Sequence, residues 1–99
     1  MEEIKKLIDF YLTTKIVFYF DEALEKLVDQ TTKDNYLAIT NYIINCEHPT
    51  TELDLSLYIC QIAKPEYKEL TQIINEKLKT FEDKDAIEDL EDALKKIAE

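Results

Sequence analysis

The chain contains no glycine. Every turn must therefore be made by residues with a Cβ, and tight glycine-rich loops are excluded from the outset. Phosphate cradles and dinucleotide-binding turns need backbone amides to close on the ligand, which a Cβ prevents. A nucleophile elbow is disfavoured for the same reason. What remains is a chain dominated by Lys, Glu, Leu, Ile and Ala, whose straight side chains suit helices joined by short polar turns. A helix end that needs a left-handed residue must then use Asn or Asp, and Asn35, Asn45 and Asp83 are the placed candidates.

Arginine is absent as well, and all 12 basic residues are Lys. No planar fork is available for phosphate or guanine. Against 22 Asp and Glu these lysines leave a net charge of −10 over 99 residues. Such a surface repels a nucleic-acid backbone, so direct nucleic-acid binding is not expected. With 45% apolar residues, the chain is expected to form a single domain over 1–99 with a core of its own.

The N-terminus, Met1-Glu2-Glu3-Ile4-Lys5-Lys6, is acidic where a secretion signal would be basic. The most apolar window, Ile16–Phe20, is far shorter than the roughly 20 residues that cross a bilayer. A cytoplasmic chain with no membrane association is expected, and Cys46 and Cys60 read as free thiols.

Apolar spacing predicts six amphipathic helices. The first runs from Glu2 to Leu12 on Ile4, Leu7, Ile8, Tyr11 and Leu12. Thr13 and Thr14 are candidate caps for the second, whose stripe is Ile16, Phe20, Leu24, Leu27 and Val28, ending at Gln30. Asp34 is the candidate cap of a third, with Tyr36, Leu37, Ile39, Ile43 and Ile44 on its buried side. Residues 45–51 form the clearest break, because Pro49 steers His48 away from helical angles.

Glu52–Ala63 alternates like a strand, yet Leu53, Leu57 and Cys60 also share a helical face, and Thr51 with Asp54 resembles a capping box. A lone strand would have no partner, so a helix is expected. Pro65 suits the first position of a fifth helix carrying Tyr67, Leu70, Ile73, Ile74, Leu78 and Phe81. After Glu82–Asp85, the last helix carries Ala86, Ile87, Leu90, Ala93, Leu94, Ile97 and Ala98. The expected fold class is all-α, an antiparallel bundle of five to six short helices.

Catalytic chemistry finds little support. Cys46, His48 and Cys60, with Glu52 or Asp54, are the conceivable zinc ligands, but Cys-Glu-His lacks the usual ligand spacing and Cys60 lies on an apolar face. Cys46 with His48 has no orienting third group. No enzyme activity, metal or cofactor is expected.

Two features suit a protein partner instead. From Glu82 to Asp92 seven acids face only Lys84, a local excess of six negative charges near one helix start. An ordinary solvated helix face explains this as well as a mimic of phosphate spacing that docks on a basic cleft. Among the aromatics, Tyr11, Tyr36 and Tyr67 read as core, whereas Phe18, Tyr19, Tyr42 and Tyr58 lie on flanks open to a partner. The candidate partner-binding residues are Asp83, Asp85, Glu88, Asp89, Glu91 and Asp92, with Glu47, Glu52 and Asp54 as a second acidic patch and Tyr58 as a flank aromatic.

The turn Leu12-Thr13-Thr14-Lys15-Ile16, following a helix with Phe10 and Tyr11, resembles the opening of colicin D-type immunity proteins. Ile74-Asn75-Glu76-Lys77-Leu78-Lys79 is similar to that family's closing helix. The matching pieces cover about 20 residues, and the helix after Phe81 extends beyond the family pattern. More broadly, the chain resembles the small acidic helical immunity proteins encoded beside bacterial nuclease toxins, including those of contact-dependent growth inhibition. The resemblance implies a helical inhibitor that occludes the basic active site of a cognate toxin, many of which cleave tRNA or other RNA. The alternatives are a nucleic-acid mimic aimed at another nuclease, and a helical adaptor or chaperone that binds through apolar grooves.

Overall fold

The computed structural model describes residues 2–46 and 51–99, with the Thr51 side chain left out. Among them the chain is all-α, as expected, and contains no strand. The helices are α1 (Glu2–Thr13), α2 (Val17–Gln30), α3 (Tyr36–Ile44), α4 (Thr51–Ile62), α5 (Leu70–Leu78) and α6 (Lys84–Ala98), with a 3₁₀ turn at Pro65–Tyr67. They group into two compact units, residues 1–51 and 52–99.

In the first unit α1 packs against α2 and α3. Its buried positions are Ile8, Tyr11 and Leu12 of α1, Ala23 and Leu27 of α2, and Tyr36, Ile39, Thr40 and Ile43 of α3. The Tyr11 ring stacks on Phe20 at 4.7 Å, so the second helix is fixed to the first by an aromatic pair. The buried hydroxyl of Thr40 donates to the Tyr36 carbonyl at 2.7 Å, which lets a polar residue sit in the core without a stranded donor.

Helix ends in this unit depart from the sequence reading. Thr13 donates its hydroxyl to the Asp9 carbonyl and finishes α1, while Thr14 Oγ1 accepts the Ile16 amide at 3.4 Å. Neither caps α2, whose N-cap is Ile16 with no side-chain hydrogen bond. Ile16 is exposed rather than part of a buried stripe: its spacing matches Ala23 and Leu27, but it is the extended N-cap at φ −94°, ψ 115°, outside the helix that would carry it onto their face. Asp34 does not cap α3. The N-cap is Asn35, whose side chain accepts the Thr32 amide at 2.7 Å and donates to the Gln30 carbonyl at 2.9 Å, tying the α2–α3 turn together.

No described residue has a positive φ. Asn35, Asn45 and Asp83 sit at φ of −117°, −82° and −71°, so none is left-handed. The helices instead run out through extended or right-handed residues, the conformations that a chain with a Cβ at every position adopts without strain.

In the second unit α5 and the 3₁₀ turn pack against α6. The 52–63 ambiguity resolves as helix. Asp54, Leu55, Ser56, Tyr58, Ile59 and Ile62 of α4 are all buried, so the helix is enclosed around much of its circumference. This is why its sequence lacks clean amphipathic spacing. Ser56 is satisfied by donating to the Leu53 carbonyl at 2.9 Å, and no buried side-chain polar atom among the described residues lacks a hydrogen-bond partner.

The predicted helix from Pro65 to Phe81 is divided. Pro65 opens a 3₁₀ turn, as expected for a proline at a first position, but α5 begins only at Leu70 and ends at Leu78, leaving Phe81 outside it. Tyr67, Leu70 and Ile74 are buried, as their helical spacing predicts, although a break separates the first from the other two. In α6, Ala86, Leu90, Ala93 and Ile97 form the buried stripe and Ala98 lies outside it, exposed.

Candidate functional site: the acidic start of α6

The start of α6 is built by side chains closing on bare amides. The first helical N–H groups have no partner within the helix, and Asp83 meets two of them, accepting from Asp85 at 2.9 Å and Ala86 at 3.1 Å. Glu52 of α4 accepts from the backbone amides of Glu82 at 2.8 Å and Asp83 at 3.1 Å. The approach to α6 is therefore held from α4, and the helix carrying the acids has a fixed origin.

Beyond the cap, Asp85, Glu88 and Glu91 are exposed, while Asp89 and Asp92 are half-buried. Asp85, Glu88, Asp89 and Asp92 follow the three-to-four spacing of one helix face. The Asp89 carboxylate lies 3.5 Å from the Ser56 hydroxyl of α4, which anchors the inner edge of the stripe. Partial burial pushes Asp89 above the usual carboxylate range, Asp92 adds to the rise, the Ser56 hydrogen bond opposes it, and Asp85 and Asp83 contribute further. Asp89 thus sits where negative charges already crowd one another. A cation arriving at this face would relieve that repulsion.

The expected partner-contacting residues divide three ways. Asp85, Glu88, Asp89, Glu91 and Asp92 lie together on α6 with at least part of each side chain accessible. Asp83 and Glu52 are engaged with backbone amides, so they shape the site rather than project from it. Asp54 and Tyr58 are corrected: Asp54 is 4% exposed and Tyr58 is wholly buried, so neither is a surface contact. Both fall on the enclosed part of α4, which strand-like alternation in the sequence disguised. Glu47 and His48 lie outside the described residues.

At the far end of α6, Lys96 Nζ donates to the Cys60 carbonyl at 2.8 Å and lies 3.6 Å from Cys60 Sγ. This is a helix-ending cation on α4, satisfying a terminal carbonyl. Neither Cys46 nor Cys60 forms a disulfide. Burial pushes the Cys46 thiol up, and Asp9 adds to the shift. No group of three or more His, Cys, Asp or Glu among the described residues is arranged to hold a metal ion. No helix among them is long and apolar enough to cross a membrane.

A second surface feature was only half legible. Phe10, Ile16, Val17, Phe18 and Tyr19 are exposed together where α1 gives way to α2. Phe18 and Tyr19 are expected from the sequence to be available, whereas Ile16 is expected on the buried stripe of the second helix, and neither Phe10 nor Val17 carries an expectation of exposure. The signal that could have found them is the consecutive run Ile16–Phe20, since no helix buries four adjacent positions on one face.

Comparison of the chain with protein-family models, with curated proteins and with solved structures returned no match.

Proposed function

We propose that this protein is an immunity-type inhibitor that binds the basic nuclease domain of a cognate bacterial toxin, an RNase or tRNase, and occludes its active site. The observation that carries the reading is the α6 stripe, in which Asp85, Glu88, Asp89 and Asp92 stand on one rigid, capped helix face. Successive acids four residues apart rise about 6 Å along a helix, comparable to the spacing of phosphates along a nucleic-acid strand. A chain with a net charge of −10 would be steered quickly onto a basic cleft. The resemblance of the Leu12–Ile16 turn and the Ile74–Lys79 helix to colicin D-type immunity proteins supports the same reading. So does a sequence without glycine, which cannot form the phosphate-cradling loops of nucleotide-dependent enzymes. The site of action would be the cytoplasm of the producing cell.

The test is the association rate with the toxin domain encoded beside this gene, measured across a salt series. A tight complex whose association slows steeply with salt, and whose nuclease activity is blocked, supports the proposal. Salt-insensitive association, or no toxin gene in the neighbourhood, overturns it.

A second reading, a helical adaptor or chaperone, is favoured by the exposed Phe10–Tyr19 corner. Neutralising Asp85, Glu88, Asp89 and Asp92 together would then leave partner binding intact. A nucleic-acid mimic directed at another nuclease shares the acidic face, and a phage or mobile-element neighbourhood distinguishes it.

A further inference from the structure

The exposed corner of the first unit has a definite chemical pattern. Val17 is 74% exposed, Phe18 70% and Ile16 56%, values far from those of side chains helping to build a core. The rings are nevertheless ordered against one another: Phe18 meets Tyr19 edge-on at 5.8 Å, and Tyr19 meets Phe10 of α1 at 6.3 Å. Beside them lies an open groove of about 240 Å³ lined by Leu7, Phe10, Tyr19, Glu22, Ala23 and Lys26. A contiguous apolar surface of this kind on a small acidic chain marks a docking site, because scattered apolar residues would not share one corner and one groove.

The rest of the α2 face says what docks there. Phe18, Asp21, Glu22, Glu25 and Asp29 follow three-to-four helical spacing, so the apolar start leads directly into a line of acids. All four acids are exposed, and the only cation on α2 is Lys26, which is paired with Glu22 at 3.1 Å. An apolar anchor followed by three acids that form no ion pair among the described residues is complementary to a segment that presents an apolar side chain and then cations.

We infer that the α1–α2 corner is a second protein-binding surface, which takes a basic amphipathic helix. An apolar side chain of that helix packs on Phe18, and its Lys or Arg residues run along Asp21, Glu25 and Asp29, which lie on the same side of α2 as Phe18. The apolar contact supplies affinity and the acids supply orientation, the usual division of labour when a helix lies in a groove. The preordered Phe10, Phe18 and Tyr19 rings lose little freedom on binding. This surface is built by the first unit alone, and its existence does not depend on what the α6 stripe binds.

The probe is a blocked peptide of about 14 residues with Leu on one helical face and Lys on the other, compared with a scrambled peptide of the same composition. Binding is read by fluorescence anisotropy and by amide shifts of Val17, Phe18 and Tyr19. The expected result is binding at that corner, weakened about tenfold by scrambling, by Phe18→Ser, and by joint Asp21→Asn, Glu25→Gln and Asp29→Asn. Neutralising Asp85, Glu88, Asp89 and Asp92 leaves it within about threefold. Circular dichroism checks that each variant keeps its helical signal, and if Phe18→Ser does not fold, the acid variant and the wild-type amide shifts decide. Equal binding of the scrambled peptide, or shifts confined to α6, overturns the inference in favour of charge alone. A dimer dissociated by Phe18→Ser assigns the corner to a second copy, and uptake by phosphatidylcholine vesicles assigns it to lipid; either result also overturns it.

Discussion

Glu52 on α4 accepts the backbone amide of Asp83 at 3.1 Å, and Asp83 in turn caps α6 by accepting from Asp85 and Ala86. Two carboxylates that look like surface charges in the sequence are thus consecutive links in one chain of hydrogen bonds. Glu52→Ala strands the Glu82 and Asp83 amides that it serves. A charged acceptor of this kind contributes about 1.5 to 3 kcal/mol, with the lower end expected at a half-exposed position. Glu52→Gln, which keeps a carbonyl acceptor, recovers most of the loss. Urea denaturation of the three proteins measures the order.

Asp83→Ala removes the only side-chain cap of α6. The expected cost is about 1 kcal/mol, and Asp83→Asn or Asp83→Ser retains most of the stability because each can accept the same amides. Thermal unfolding followed at the helical circular-dichroism band compares them.

The acidity of Asp89 sets the direction of a pH effect. Its folded-state proton affinity is raised by burial and by Asp92, so the fold favours its neutral form. That contribution to stability is fully present below the ordinary carboxylate range, at about pH 3, and is lost as pH rises through the raised folded value. Asp89→Asn, permanently neutral, is therefore expected to be more stable than the parent near neutral pH and to lose that advantage in acid. Chemical denaturation of both proteins across this range gives the difference, and a variant less stable at neutral pH would refute the assignment.

Charge removal on α6 separates recognition from folding. With Asp85→Asn, Glu88→Gln, Asp89→Asn and Asp92→Asn combined, the proposed toxin complex is expected to form about tenfold or more slowly at low salt, with a flatter salt dependence. Helical content should be unchanged, because none of these four side chains caps a helix. Stopped-flow association with the toxin domain provides the rate.

Core truncation sets the scale against which these surface effects are judged. Leu27 in the first unit and Leu90 in the second are wholly buried, and replacing either with Ala is expected to cost about 2 to 5 kcal/mol. That is a large share of the stability available to a chain of this length. Loss of the cooperative unfolding transition, seen by calorimetry, is the sign to look for.

Most helices were legible because their buried residues recur at the helical period, as Ile8, Tyr11 and Leu12 do in α1 and Ala86, Leu90, Ala93 and Ile97 in α6. The core tyrosines Tyr11, Tyr36 and Tyr67 were legible for the same reason, and all three are buried. Caps were less so. Asp34 and Asn35 are adjacent residues of similar capping ability, yet the N-cap falls at Asn35, whose side chain ties Thr32 to Gln30 in the preceding turn and makes no cap hydrogen bond to α3. Tyr58 was misread because periodicity reports one buried face, while α4 is enclosed on more than one. In the acidic site, the α6 stripe followed from sequence, but the engagement of Glu52 with the amides 30 and 31 residues away did not.

By itself, then, the sequence determined an all-helical chain with its negative charge concentrated before and along the last helix, because those properties depend on composition and local spacing. Tertiary structure decided which acids are available and which are spent. Glu52 and Asp83 accept backbone amides, Asp54 is buried, and Asp85, Glu88 and Glu91 face solvent. A carboxylate's role depends on the donors and the water around it, and both are supplied by segments distant in the chain.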